Sequence, residues 1–184
     1  MRRRALAVAL LLAVAVAVYE LALRDSSADP HLRLPQPAAT IGSGPYAIGV
    51  SANGAILAWL PAPKEGSLPR LPVSTPPEGS RLRGTLLEQA RVLGAAPPIL
   101  RPCIDSSYYG ESGVDVRLRS GIELRFGDAS RAAEKWRAAA TVLADPSVTA
   151  LDYVDLYAPG HPALGGSGHT LPPPSQSPTA SCGE

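Results

Sequence analysis

The chain has no excess charge of either sign. Its 184 residues carry 17 Lys and Arg against 16 Asp and Glu, for a net charge of +1. A nucleic-acid binder with a basic stripe is thereby excluded, as is an acidic interaction tail. Aromatics are also scarce: two Trp, six Tyr and one Phe leave little for base-stacking platforms. Two cysteines cannot build a disulfide framework or a four-cysteine zinc site. What the chain does have is 20 Pro and 17 Gly, about a fifth of its residues against a usual combined share of ~12%. Hydrophobic residues still make up 45%, so a core is affordable. The prolines must then fall between the folded elements.

One long apolar run is present. Arg2, Arg3 and Arg4 precede residues 5–23, which are apolar except for Glu20. At 1.5 Å per residue this makes ~28 Å of helix, just enough for a hydrocarbon core of ~30 Å. Glu20 falls one turn from the far end, and Tyr19 suits an interface. Residues 1–4 read as a cytoplasmic start, 5–23 as a transmembrane helix, and everything after Arg24 as extracytoplasmic. A cleaved signal peptide also fits this pattern. The absence of a small-x-small site after the run favours the uncleaved anchor. Beyond Leu23 acids and bases nearly balance, so no polybasic patch marks a lipid headgroup site.

Residues 24–45 contain Pro30, Pro35, Pro37 and Pro45 and read as a Pro-rich spacer. Residues 165–184 are rich in Gly, Ser and Pro and read as a disordered tail. The compact domain is expected at 46–164. Asn53-Gly54 between apolar runs predicts a hairpin. Leu68 to Val73 reads as an edge strand or covering loop. Leu86, Leu87, Ala90 and Leu93 predict a helix over 83–93, capped by Gly94 and stopped by Pro97 and Pro98. A strand broken near Pro102 follows over 99–109. Val114, Val116 and Leu118 alternate with charged residues, as do Ile122, Leu124 and Phe126 across the Ser120-Gly121 turn. Ala132, Trp136, Ala139 and Leu143 form one stripe on a helix over 131–144, with Lys135 facing water. Asp128 or Ser130 is placed to cap it. In the strand over 151–158, Leu151, Tyr153, Asp155 and Tyr157 share one face. The expected fold is α+β: a single N-terminal transmembrane helix followed by a small domain with a mostly antiparallel sheet and helices packed on one face.

Catalytic patterns are missing. Gly42-Ser43-Gly44, Gly110-Glu111-Ser112-Gly113 and Gly166-Ser167-Gly168 do not match a nucleophile elbow. His31, His161 and His169 are isolated, so no metal cluster is expected. Asp152 and Asp155 point to opposite faces of a strand and cannot act as a carboxylate pair. No Gly-rich loop links a strand to a helix, so no phosphate cradle is read. Cys103 and Cys182 can pair in an oxidising compartment, although two unpaired cysteines is the favoured reading. No catalytic residue, metal or cofactor is assigned.

The order of pieces resembles the bacterial cell-division FtsQ/DivIB family. The residues carrying the resemblance are Val114 to Leu118, Ser120-Gly121, Ile122 to Phe126 and Gly127-Asp128, then the helix from Lys135-Trp136 to Asp145-Pro146. Tyr153-Val154-Asp155-Leu156-Tyr157-Ala158-Pro159-Gly160 is similar to the family's last strand signature, with Tyr157 where an Arg is usual. The resemblance spans about 46–164. Family members usually carry a small POTRA domain before this region, and 25–45 is too short to hold one, so that domain is expected to be missing. The resemblance implies a non-enzymatic scaffold at the division septum. The implied partners are FtsB/FtsL-like single-span coiled-coil proteins, with neither nucleic acid nor a small-molecule substrate. Binding would be strand addition to an exposed edge. By position that edge is Tyr153 to Leu164, with Tyr153, Asp155, Tyr157, Ala158, Gly160, His161 and Leu164 as partner-binding residues. Two alternatives stay open. The edge is merely a Pro-blunted strand that avoids aggregation, or the protein is a secreted or envelope adaptor or enzyme unrelated to division.

Overall fold

The computed structural model describes residues 34–171. The expected cytoplasmic start and transmembrane helix at 5–23 lie outside them. Among the described residues no helix is long and apolar enough to cross a membrane.

Seven strands and two α-helices follow in order among the described residues. Strands β1 (Pro37–Ile41) and β2 (Ile48–Ser51) precede helix α1 (Gly84–Gly94). Strands β3 (Ile104–Gly110), β4 (Gly113–Leu118) and β5 (Glu123–Gly127) form a meander. Helix α2 (Ala132–Leu143) leads to β6 (Ala150–Asp155) and β7 (Ala163–Thr170). The five later strands make one sheet in sequence order, while β1 and β2 pair separately. All pairings are antiparallel except β5 with β6. A parallel pair needs a crossover, and α2 supplies it. The α+β class with two helices and a mostly antiparallel sheet is therefore as expected.

The core lies between the helices and one sheet face. Val114, Val116, Leu124 and Phe126 alternate inward along β4 and β5 and are fully buried. Trp136 of α2 is also fully buried. Its ring centroid lies 4.9 Å from that of Phe126, and its indole N–H donates to Val92 O of α1 at 2.7 Å. That bond satisfies the one polar atom of a buried indole. Ser107 of β3 donates to Gln89 Oε1 of α1 at 2.9 Å. Both helices thus sit on the same side of the sheet.

Several expectations are corrected. Strand β1 falls inside the stretch read as a spacer; Ala39, Ile41 and their neighbours are buried, so three prolines nearby did not prevent pairing. Asn53-Gly54 does turn the chain, with Gly54 at φ +80°, but β2 pairs chiefly with β1. After the turn the chain folds back on β2 over a short stretch, as the hairpin reading expects, with Ser51 N donating to Ala55 O at 3.0 Å, Leu57 N to Gly49 O at 2.8 Å and a Val50–Ile56 bridge. The 68–73 piece is not an edge: Arg70 bridges Thr40 of β1 and Ser106 of β3, and Leu71 is buried. Gly94 is the last residue of α1, not a left-handed cap; a Cβ there would overlap the methyl of Ala52. Lys135 does not face water. It is 3% exposed and donates to Phe126 O at 2.8 Å and to Asp128 Oδ1 at 2.8 Å. Asp128 also accepts from Ser130 N, yet no side chain caps α2, whose N-cap is Arg131 at φ 52°. Leu151 and Val154 are both buried, so strict alternation along 151–158 fails at Leu151. Cys103 is buried and is not a free thiol, against the favoured reading of two unpaired cysteines; Cys182 lies outside the described residues.

Candidate partner-binding edge

Strand β7 closes one side of the five-stranded sheet, and among the described residues nothing pairs with its outer side. Its eight residues are exposed or half-buried throughout. The edge lies one strand further out than the sequence reading placed it. Tyr153 and Asp155 sit on β6, opposite Gly165 and Ala163. Tyr157, Ala158, Gly160 and His161 form the β6–β7 connection, closed by His161 N donating to Ala158 O at 2.9 Å. Leu164 alone of the expected residues lies on the edge strand, and it is exposed. Tyr157 is 73% exposed beside Gly127, where a Cβ would come within 2.8 Å of the ring. The structure thus brings the expected residues to one end of the sheet, in two tiers.

The shape of β7 is set by Asp152. Leu151 pairs with His169 and Tyr153 with Gly165, so β7 carries two extra residues and Gly166, Ser167 and Gly168 stand opposite Asp152 alone. They curl around the Asp152 carboxylate, which accepts from Gly168 N at 2.8 Å. A Cβ at Gly166 or Gly168 would collide with that carboxylate, and Gly166 holds φ +76°. The segment read as flexible tail is a glycine-specified bulge.

The sheet face opposite the helices carries a polar lattice. Arg125 donates to Glu123 Oε1 at 2.7 Å, and its guanidinium carbon lies 3.8 Å from the centre of the Tyr153 ring. Tyr153 in turn covers Gly165 of β7. Tyr108 O–H donates to Glu123 Oε2. Burial, and then that hydrogen bond, pushes the Tyr108 hydroxyl up to about 12. Hydrogen bonds from Tyr108 and Arg125 hold the Glu123 carboxyl below its usual value against the opposing effect of burial. Asp115 is 7% exposed and its Oδ1 has no partner. Burial first, then the Glu123 charge, pushes its carboxyl up to about 6. No group of His, Cys, Asp and Glu among the described residues has the arrangement of a metal site.

The family model for the cell division protein FtsQ/DivIB C-terminal domain matches residues 47–157. The chain belongs to this family. The FtsQ/DivIB match covers β2 through β6 with both helices, so β1 and β7 lie outside it. No curated protein matches the chain. Sequence reasoning missed β1 and most of β7, which flank the FtsQ/DivIB match, and within it the buried Lys135 and the orphaned Asp115 oxygen. Lys135 had a signal: it lies three residues after Ala132 and beside Trp136, on the buried stripe. Asp115 had none, because alternation placed it correctly on the polar face and only side-chain packing buries it.

Proposed function

We propose that the chain is a non-catalytic scaffold of the cell-division machinery that holds another division protein by strand addition to β7. The observation carrying this reading is an FtsQ/DivIB domain whose sheet ends in an eight-residue, exposed edge strand. An edge strand presents unpaired N–H and C=O groups to a partner. Leu164 offers an apolar contact on the edge, and Tyr157, Ala158, Gly160 and His161 border its start. Tyr153 and Asp155 support the edge from behind. In this reading residues 5–23 anchor the chain, with the N-terminus cytoplasmic and the domain outside, at the septum. The partner is an FtsB/FtsL-like single-span coiled-coil protein.

A fluorescent fusion of the full chain is expected at the division septum, and a single-span coiled-coil protein is expected to co-purify. Tyr157→Asp should weaken that association without unfolding the domain, since Tyr157 is exposed. Diffuse signal around the envelope with no such partner overturns the scaffold. Undiminished association of the Tyr157→Asp variant moves the contact away from the connection.

A further inference from the structure

A cavity of about 400 Å³ opens where the two-stranded and five-stranded parts meet, on the far side of the domain from β7. Its size lies in the range of small-molecule sites, ~300–1,000 Å³. The walls come from the end of β1, the turn after it at 42–47, the 63–68 loop, the Arg70–Pro72 strap, the start of β3 and Arg119. Leu71 and Ile104 form an apolar base and are buried. The loop is tied down by Arg119, whose guanidinium donates to Gly66 O at 3.3 Å.

Lys64, Arg70 and Arg119 reach this cavity from three different segments. None of them has an ion pair among the described residues. Two acids share the wall. Asp105 is engaged by the Ser106 hydroxyl at 3.0 Å, and Glu65 is exposed. The Thr40 and Ser106 hydroxyls already donate, to Pro69 O and to Asp105, which leaves Ser43 as a hydroxyl donor at the wall. Three exposed cations against two exposed acids, one hydroxyl and an apolar base at one concavity suit a compact anion on a small body. Charge-assisted hydrogen bonds are the strong ones, and guanidinium forks match phosphate oxygens.

We infer that this cavity binds a phosphate group borne by a small molecule or a lipid head, as a ligand and not as a substrate. The two sources share one chemistry: an anionic oxygen fork against Arg70 and Arg119 with Lys64 beside it. The site is independent of the β7 edge.

The test is an amide NMR titration of the full chain in zwitterionic detergent with inorganic phosphate, repeated with phosphatidylglycerol added to the micelle. Saturable shifts confined to residues of the cavity wall are expected. They should weaken about tenfold in Arg119→Gln, the loss of roughly one charge-assisted hydrogen bond. Because Arg119 also donates to Gly66 O, Arg70→Gln is read beside it: the Arg70 side chain is exposed and holds no loop, so that variant should weaken the shifts as much with the remaining spectrum unchanged. Shifts with free phosphate support a soluble ligand, and shifts with the anionic lipid alone support a lipid head. No shift with either overturns the site, as does an equal response to chloride at matched ionic strength or an unweakened response in Arg119→Gln.

Discussion

Asp115 and Lys135 are two charged side chains taken almost entirely out of water, and they meet opposite fates. Lys135 finds two carbonyls and the Asp128 carboxylate. Asp115 keeps one oxygen without a partner. Lys135→Met should therefore destabilise the domain by about 1–3 kcal/mol, because it strands the Phe126 carbonyl in the core. Urea unfolding checks this. Asp115 gives a pH dependence. Its native carboxyl titrates at about 6, against ~3.9 when unfolded. Between those values the native state holds the extra proton, so stability falls as pH rises from about 4 to about 6. Asp115→Asn should remove that fall. Its advantage over the parent should grow by of order 1–2 kcal/mol across the same window. Parallel stability curves for the two proteins would contradict this. Asp128 acts in the reverse sense. The Lys135 hydrogen bond, then Ser130, hold it down to about 2, so its contribution is present above about pH 4 and is lost as pH falls toward 2. At this scale the sequence was partly legible. The alternation of Val114, Asp115 and Val116 told which face each residue takes, but not that neighbours would cover the Asp115 carboxyl.

Elements with a strong period were readable from residues alone. The β4–β5 meander and both helices appear where alternation and the 3.6-residue stripe put them. Elements that depend on tertiary partners were not. β7 contains Gly165, Gly166 and Gly168, which have no strand propensity, and it forms because Asp152 and Tyr153 occupy the space that side chains would fill. β1 sits among prolines and is held by β2 and by the strap at Arg70. The close fit of α1 to the Asn53-Gly54 turn is another tertiary feature. Gly94→Ala should push its methyl into Ala52 and cost about 1–3 kcal/mol, against the gain that the helix propensity of Ala would give an unpacked site. Thermal unfolding measures it. A stabilised Gly94→Ala protein would show that the helix end moves freely away from the turn.

Across the described residues the logic is a sheet with one covered face and an edge, β7, whose outer side none of them pairs. The helices, with Trp136 at their junction, seal one face, and the order β3-β4-β5-β6-β7 leaves β7 last. Family membership was legible because the meander, α2 and β6 keep their order and spacing over 47–157. The position of the edge was not, because it lies outside the matched stretch. Leu164→Asp should leave folding intact, since Leu164 is exposed, and weaken capture of the proposed single-span partner at least about tenfold, ~1.4 kcal/mol. The central claim is strand addition to β7. Hydrogen–deuterium exchange on the full chain, with and without the corresponding segment of the proposed coiled-coil partner, tests it most directly. The account predicts slowed exchange in Ala163–Thr170 on binding, with the meander unchanged. Unchanged exchange in Ala163–Thr170, with protection appearing elsewhere on the domain, would contradict it.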